Sequence, residues 1–302
     1  MLTLRQIILA FKFRHSFLKG DRVRDAGLTT PDDVIRFDNI SYGEKIKQKK
    51  FHLLDVYRPK SAEEKIPVIV SIHGGAWVYG TKETYQFYCM SLAQRGFAVV
   101  NFSYRLAPEN LFPAMLEDIQ QVFDWLSDSQ NAETYGFDLN NVFAVGDSAG
   151  GHLLSLYASA ITNPDYAKKF PFIKKTVPLK AVALNCGKYN MGYDLENDYK
   201  MRLVIENLLP GKGTKEELEL INGLSYVTKD FPPAYVMSCL GDFLLEESGF
   251  MSKALEAAGV PYEYHCYGTD QKPLWHVFHC DLRIEEAAIC NDAECNFFKK
   301  FI

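Results

Sequence analysis

From Val68 onward the chain alternates short apolar runs with segments of helical period, and this alternation limits the fold more than any other feature. Val68-Ile69-Val70-Ser71-Ile72 is apolar on nearly every residue, as a strand covered on both faces must be. A helix is predicted over Thr84–Arg95, closed by Gly96, then a strand at Ala98–Tyr104 and an amphipathic helix at Ala114–Ser129. The strand Val142–Val145, the helix Ala149–Ile161 and the strands Ala181–Asn185 and Ala234–Leu240 follow. A helix over Glu246–Ala258 stops at Gly259, with Pro261 beyond it, before the strand Tyr262–Tyr267 and a closing helix Asp281–Phe298. Upstream, Val34–Tyr42 and Phe51–Tyr57 read as an antiparallel hairpin. Strands alternating with helices predict an α/β fold, a mostly parallel sheet with helices on both faces.

Between Gly187 and Pro233 the rhythm lapses into polar loops and two helical patches, Tyr199–Leu209 and Lys215–Asn222. A segment this short does not build an independent core. The expectation is therefore a single domain over residues 1–302 carrying a helical cap. Its elements would come from 187–232 and from 1–33, where Leu2–Leu18 reads as an amphipathic helix packed on the body. Tyr189, Tyr193, Tyr199 and Tyr226 are expected to give the cap a confined, partly polar pocket lining.

Composition excludes several function classes. The 302 residues are 47% apolar and 24% charged, with a formal net charge of −5. The densest basic cluster, Lys47-Gln48-Lys49-Lys50, falls at the hairpin turn, so no nucleic-acid partner is expected. Seven cysteines without a CxxC pair, three of them (Cys186, Cys239, Cys266) inside apolar strand-like runs, read as buried reduced thiols of a cytoplasmic protein. His276, His279 and Cys280 lack a second ligand pair at zinc spacing, so no metal is expected. The apolar run Ile7–Phe11 is too short for a leader and is followed by Lys12, Arg14, His15 and Lys19. No integral membrane association is expected, and binding of the basic helix to a membrane surface is the alternative reading. A homodimer is compatible with the sequence, which leaves the oligomeric state open.

Parallel sheets bind ligands beyond the carboxyl ends of their strands, and the chemistry-bearing motifs fall there. Gly146-Asp147-Ser148-Ala149-Gly150 follows a strand and opens a helix, the setting in which a GxSxG turn exposes a serine hydroxyl. Such a hydroxyl needs a base, and the base a carboxylate, in the order serine, acid, histidine. Asp242 closes the strand Ala234–Leu240 and His276 lies after the last strand, so Ser148, Asp242 and His276 are the expected catalytic residues. His279 is the competing histidine. In His73-Gly74-Gly75-Ala76-Trp77, also after a strand, the Gly74 and Gly75 N–H groups join that of Ala149 as the expected oxyanion hole. Trp77, Tyr104, Tyr189 and Trp275 are expected to contact substrate.

His73-Gly74-Gly75-Ala76-Trp77, Tyr104-Arg105-Leu106-Ala107-Pro108-Glu109 and Gly146-Asp147-Ser148-Ala149-Gly150-Gly151 resemble the hormone-sensitive-lipase-like group of α/β-hydrolases. The resemblance covers about Phe51 to Phe298, and Leu54-Asp55-Val56-Tyr57-Arg58-Pro59 is similar to an early strand of carbohydrate-esterase relatives. It implies the α/β-hydrolase fold with an eight-stranded sheet, the same triad and oxyanion hole, a helical cap and a cofactor-free carboxylesterase working through an acyl-enzyme. The confined pocket expected of the cap adds a preference for small, short-acyl esters. Two departures stand out. The loop Gly268–Trp275 before His276 is longer than the family's, with Val277 where a glycine is usual, and no proline follows Asp242. An arylformamidase or other amidase, a carbohydrate-ester hydrolase and a catalytically weak ligand-binding receptor are the alternatives.

Overall fold

The computed structural model describes residues 4–43, 50–62, 64–192 and 199–302. Eight strands form one sheet: β1 (Val34–Ser41), β2 (Leu53–Pro59), β3 (Ile66–Ile72), β4 (Ala98–Ser103), β5 (Phe137–Asp147), β6 (Leu179–Asn185), β7 (Ala234–Cys239) and β8 (Tyr262–Tyr267). Their spatial order is β1-β2-β4-β3-β5-β6-β7-β8. The β1–β2 and β2–β4 pairs are antiparallel; every other pair is parallel. Most of the expected turn of the first hairpin, including Lys47–Lys49, lies outside the described residues.

Alternate residues of each central strand feed opposite layers. Val68, Val70, Val100, Val182 and Val236 point to one face, under α3 (Ala114–Ser127), α5 (Ala149–Thr162) and α9 (Leu245–Ala258), through Leu116, Ile119, Leu153, Met251 and Leu255. Ile69, Val99, Phe143, Val145 and Met237 point to the other, under α2 (Lys82–Gln94) and α10 (Glu285–Lys299), through Cys89, Leu92, Phe297 and Phe298. Each such fully buried side chain contributes roughly 1.5–3 kcal/mol, so the continuous apolar runs dictate a two-sided layer. This is the α/β-hydrolase architecture expected from the sequence.

Several boundaries differ, each for a local reason. The helix expected to run to Ser129 ends at Ser127, because the Asp128 carboxylate caps a new helix, α4 (Ser129–Tyr135), by accepting from the N–H groups of Gln130 and Asn131. Asn163 likewise caps the short α6 (Pro164–Ala167). The last helix begins at Glu285, not Asp281, because Asp281 is bound instead by the Arg283 guanidinium. Cys266 is exposed on the edge strand β8, whereas the other six cysteines are buried.

The N-terminal helix α1 spans Leu4–Arg24 and is held differently from the expectation. The helix was expected to pack on the body, yet its apolar residues Ile7, Ile8 and Phe11 are 49%, 46% and 68% exposed. Ala10 is buried, Phe13 packs on the core, and polar anchors add to the hold. Arg14 donates to the Val78 and Ala107 carbonyls and pairs with Glu109, while Arg24 donates to the Thr84 carbonyl. The 187–232 stretch supplies α7 (Tyr199–Leu208) and α8 (Lys215–Leu220). It is rooted at its start by the buried Lys188–Glu247 ion pair, whose carboxylate also accepts from the N–H groups of Tyr189 and Asn190. Among the described residues no helix is long and apolar enough to cross a membrane.

Candidate active site

Ser148 stands between β5 and α5 with φ 55° and ψ −119°, the strained backbone that a sharp strand-to-helix turn imposes. Its glycine neighbours are steric requirements. A Cβ on Gly146 would lie 2.5 Å from the Gly150 carbonyl oxygen, and one on Gly150 would lie 2.0 Å from that of Ile72. Strand and helix close to this distance because no side chain intervenes.

Ser148 Oγ lies 3.0 Å from His276 Nε2, and His276 Nδ1 lies 2.8 Å from Asp242 Oδ1. Asp242 is fixed in turn by the Leu244 N–H at 2.8 Å and the Ser238 hydroxyl at 3.2 Å. Burial favours its neutral form, but the hydrogen bond and charge of His276, with the Cys186 thiol and the Leu244 N–H, outweigh this and hold its pKa below the ordinary carboxylate value. An ionised Asp242 keeps the imidazole proton on Nδ1, leaving Nε2 bare toward the hydroxyl. A serine so placed can be deprotonated as it attacks an electrophilic carbon.

The long loop before His276 is pinned to the acid's own turn. Gly241 and Trp275 form a parallel bridge, and a Cβ on Gly241 would lie 2.0 Å from the Leu274 carbonyl oxygen. Phe243, directly after the acid, lays its ring on His276 with centroids 4.5 Å apart. His279 goes elsewhere. It is fully buried, edge-on to Tyr88 at 5.0 Å, its Nδ1 has no hydrogen-bond partner, and burial drives its pKa down to about 3.

The HGGAW turn faces the serine across one cavity of about 740 Å³ that Gly74, Gly75, Trp77, Ser148, Ala149, Trp275 and His276 all line. Gly75 has φ +118°, and a Cβ there would lie 2.3 Å from the Tyr79 carbonyl oxygen. Ala76 and Trp77 also hold positive φ. Trp77 is only 1% exposed and its indole N–H donates to His152 Nδ1 at 3.2 Å, so His152 carries its own proton on Nε2, toward the Ile221 carbonyl. Burial lowers the pKa of His152 to about 4 and keeps it neutral.

Two of the expected substrate contacts are corrected. Tyr104 is fully buried; it stacks on His73 with centroids 4.1 Å apart and donates to the His73 carbonyl, bracing the glycine turn from behind. Tyr189 is also fully buried, packed against Gly187 and Gly151, and does not line the cavity. The expected tyrosine lining is corrected with it. Tyr199 is exposed and Tyr226 stacks on Tyr166, neither on the cavity wall, and Tyr193 lies outside the described residues. The wall comes instead from Phe13, Phe17, Asp21 and Arg24 of α1 and Met201 and Val204 of α7. The sequence pointed to the cap and N-terminal helices but to none of these residues, because nothing local marks a helix residue as facing a site built dozens of positions away.

Behind the serine lies a buried acidic layer that was equally silent. Asp147 accepts a hydrogen bond from the Tyr85 hydroxyl, and burial raises its pKa to about 8. Glu294 accepts from Tyr88 at 2.8 Å and from Asn185 at 2.6 Å, and burial raises its pKa to about 7. Among the described residues two groups bring potential metal ligands within 4.8 Å of one another, Asp147/His279/Cys280 and Cys186/Asp242/His276. In each the carboxylate already has a partner, Tyr85 in the first and His276 in the second.

The family model of BD-FAE matches residues 54–253. Among curated proteins, versiconal hemiacetal acetate esterase of Dothistroma septosporum is 28% identical over 70% of this chain and 67% of its own length. Arylacetamide deacetylase of Bos taurus is 41% identical over a shorter stretch, 31% of this chain and 25% of its own. The chain spans two thirds or less of the length of several of the curated relatives it matches. Among solved structures, Esterase B from Lactobacillus rhamnosis superposes with a TM-score of 0.88 at 26% identity, over 99% of this chain and 96% of that one. A form of that esterase inhibited by a C4-C4 SN3 tributyrin phosphonate gives 0.86, at 26% identity over 97% and 95%.

Proposed function

The chain belongs to the BD-FAE family and has the α/β-hydrolase fold, and from that premise we propose that it is a serine carboxylesterase acting on small, short-acyl esters. The observation that carries this reading is the hydrogen-bonded line Ser148–His276–Asp242, at 3.0 and 2.8 Å, opening into the cavity that Gly74, Gly75 and Ala149 also line. Ser148 Oγ attacks the ester carbonyl carbon as His276 Nε2 takes its proton. The N–H groups of Gly74, Gly75 and Ala149 receive the oxyanion, the last at the start of α5 where the helix dipole favours negative charge. The departing alkoxide takes the proton from His276, leaving an acyl-enzyme. Water, deprotonated by the same imidazole, releases the acid and restores Ser148. Asp242 stabilises the imidazolium in both halves.

Short acyl groups are favoured in this reading, because the acyl chain runs against the apolar wall of the cavity. Once the acyl chain meets Trp77, Phe17 and Val204, each further methylene displaces packed side chains at roughly 1–3 kcal/mol, against about 0.8 kcal/mol gained by its burial. The tributyrin phosphonate on the Lactobacillus esterase supports the same size class. The chain's helical cap, in this reading, is α1 together with the 187–232 stretch.

The test combines labelling with a substrate series. An organophosphonate should label Ser148 alone, and Ser148→Ala should lose ester hydrolysis by roughly three or more orders of magnitude while keeping its melting temperature. In an aryl-ester series kcat/KM should peak near butyrate, and N-formyl aromatic amides should be poor substrates. Labelling elsewhere sinks the mechanism. A steady rise to dodecanoate sinks the substrate class, and faster amide than ester cleavage makes the amidase reading the correct one.

A further inference from the structure

The outer half of α1 combines exposed apolar side chains with cations. At about 100° per residue, Ile8, Lys12, His15, Lys19 and Val23 form one stripe along the helix, and Ile7, Phe11, Leu18 and Arg22 form a second beside it. All nine are exposed, Phe11 by 68%, Val23 by 61%, Ile7 by 49%, Ile8 by 46% and Leu18 by 40%. No acidic residue lies on either stripe. The helix carries six lysines and arginines against one aspartate, Asp21, whose carboxylate turns inward to the Tyr79 hydroxyl. This stands on a chain whose net charge is −5. Single exposed apolar side chains are ordinary, but five interleaved with cations on one helix face are not.

The face is continuous with the opening of the cavity. Val23 belongs to the first stripe and also lines the cavity, as do the exposed Phe243 (73%) and Trp275 (49%). From α1 to the mouth, the surface thus offers apolar side chains that can sink to the headgroup boundary and cations to meet its phosphates. We propose that this face docks the protein on an anionic lipid surface, with the cavity mouth set beside the bilayer so that esters partitioned there reach Ser148. A second copy of the chain fits the face less well, because a two-fold interface would set Lys12, Lys19 and Arg22 against the same cations. The helix does not have to lift for this. Its inner face stays anchored by Arg14, Asp21 and Arg24 while the free face takes up lipid.

The delivery of esters to Ser148 rests on the proposed esterase function, the docking itself does not, and the experiment separates them. The full chain is sedimented with vesicles of phosphatidylcholine alone and of phosphatidylcholine mixed with phosphatidylglycerol, at low and at physiological salt. Wild type should bind the mixed vesicles and hardly the neutral ones, and bind less as salt rises. The triple variant Lys12→Glu/Lys19→Glu/Arg22→Glu should weaken binding by about tenfold or more, and Ile8→Ser/Phe11→Ser should weaken it with its charge intact. Both should keep the melting temperature of wild type and hydrolyse a water-soluble aryl ester within about twofold of its rate, since none of these side chains lines the catalytic cavity. Ser148→Ala should bind vesicles as wild type does, whatever becomes of hydrolysis. Equal binding to both vesicle types, binding to neither, or charge reversals without effect would overturn the proposal. So would a dimer in sedimentation equilibrium that Ile8→Ser/Phe11→Ser splits, since the face would then belong to a second copy.

Discussion

At the rim of the sheet, Ser148, Asp242 and His276 stand on turns where a single added Cβ would collide with backbone; in the roof above them, helix α1 is tied down in part by an ion pair at partly exposed side chains. Gly150 would meet the Ile72 carbonyl oxygen at 2.0 Å and Gly241 that of Leu274 at the same distance. Arg14 and Glu109, which hold α1, keep 31% and 36% of their side chains exposed. Exposed pairs of this kind contribute about 0–1 kcal/mol each, whereas a backbone collision leaves no relaxed alternative. The difference teaches where change is tolerated. The rim should respond to substitution by losing chemistry outright, and the roof by retuning what fits.

The sharpest way to break that contrast is at the two histidines. His276→Ala should lower kcat by roughly 10³-fold or more, whereas His279→Ala should keep turnover and cost stability, about 1–3 kcal/mol, through the void left against Tyr88. Steady-state kinetics with thermal melts on both variants checks this, and the reverse pattern would hand the base to His279. Next in size, Gly75→Ala should lower kcat by roughly 10²-fold with little change in KM, because a Cβ 2.3 Å from the Tyr79 carbonyl oxygen displaces the turn that supplies the proposed oxyanion hole. Retention of full kcat would remove Gly75 from the proposed oxyanion hole. On the roof, Phe17→Ala and Met201→Ala should raise KM for butyrate esters by about three- to tenfold and leave kcat within about twofold, since each trims apolar wall without touching the triad. If either variant lost kcat as a rim variant does, the division between rim and roof would fail.

The smallest effect concerns the buried acidic layer. Glu294 has its folded-state pKa raised to about 7, above the unfolded value of about 4.3. Between those two values the folded chain holds a proton that the unfolded chain releases, so this group makes stability fall as pH rises, by up to about 1.4 kcal/mol per unit, and the fall ends above about 7. Glu294→Gln should flatten the slope of unfolding free energy across that window, measured by urea titrations at stepped pH. The amide fits, because Asn185 Oδ1 has no hydrogen-bond partner and can accept from it once the Asn185 amide turns over. An unchanged slope would mean that Glu294 is ionised in the fold.

Much of the rim was legible because its rules are local. A run such as Val68–Ile72 declares a strand buried on both faces, and Gly146-Asp147-Ser148-Ala149-Gly150 declares a turn that only small residues permit. The order of Ser148, Asp242 and His276 after successive strands then pointed to three groups that the structure joins by hydrogen bonds. Boundaries slipped where a side chain decided them, as when Asp128 ended one helix by capping the next. Chemical type alone misled at Tyr104 and Tyr189: an aromatic with a hydroxyl reads as a substrate contact, yet both are fully buried.

What the sequence by itself determined is the series of strands and helices, the two glycine turns and the chemical kind of each rim residue, all set by periodicity and sterics within a few positions. Only the tertiary structure decided which of the two late histidines meets the serine, across 128 residues, through a bridge between Gly241 and Trp275 that no spacing foretells. It also decided that α1 walls the cavity and turns Ile7, Ile8 and Phe11 outward, with Arg14, Asp21 and Arg24 as polar anchors on its inner face. The raised pKa values of Asp147 and Glu294 belong to the same class. A carboxyl group's charge depends on how much water and which partners the whole fold leaves around it, and no stretch of chain contains that information.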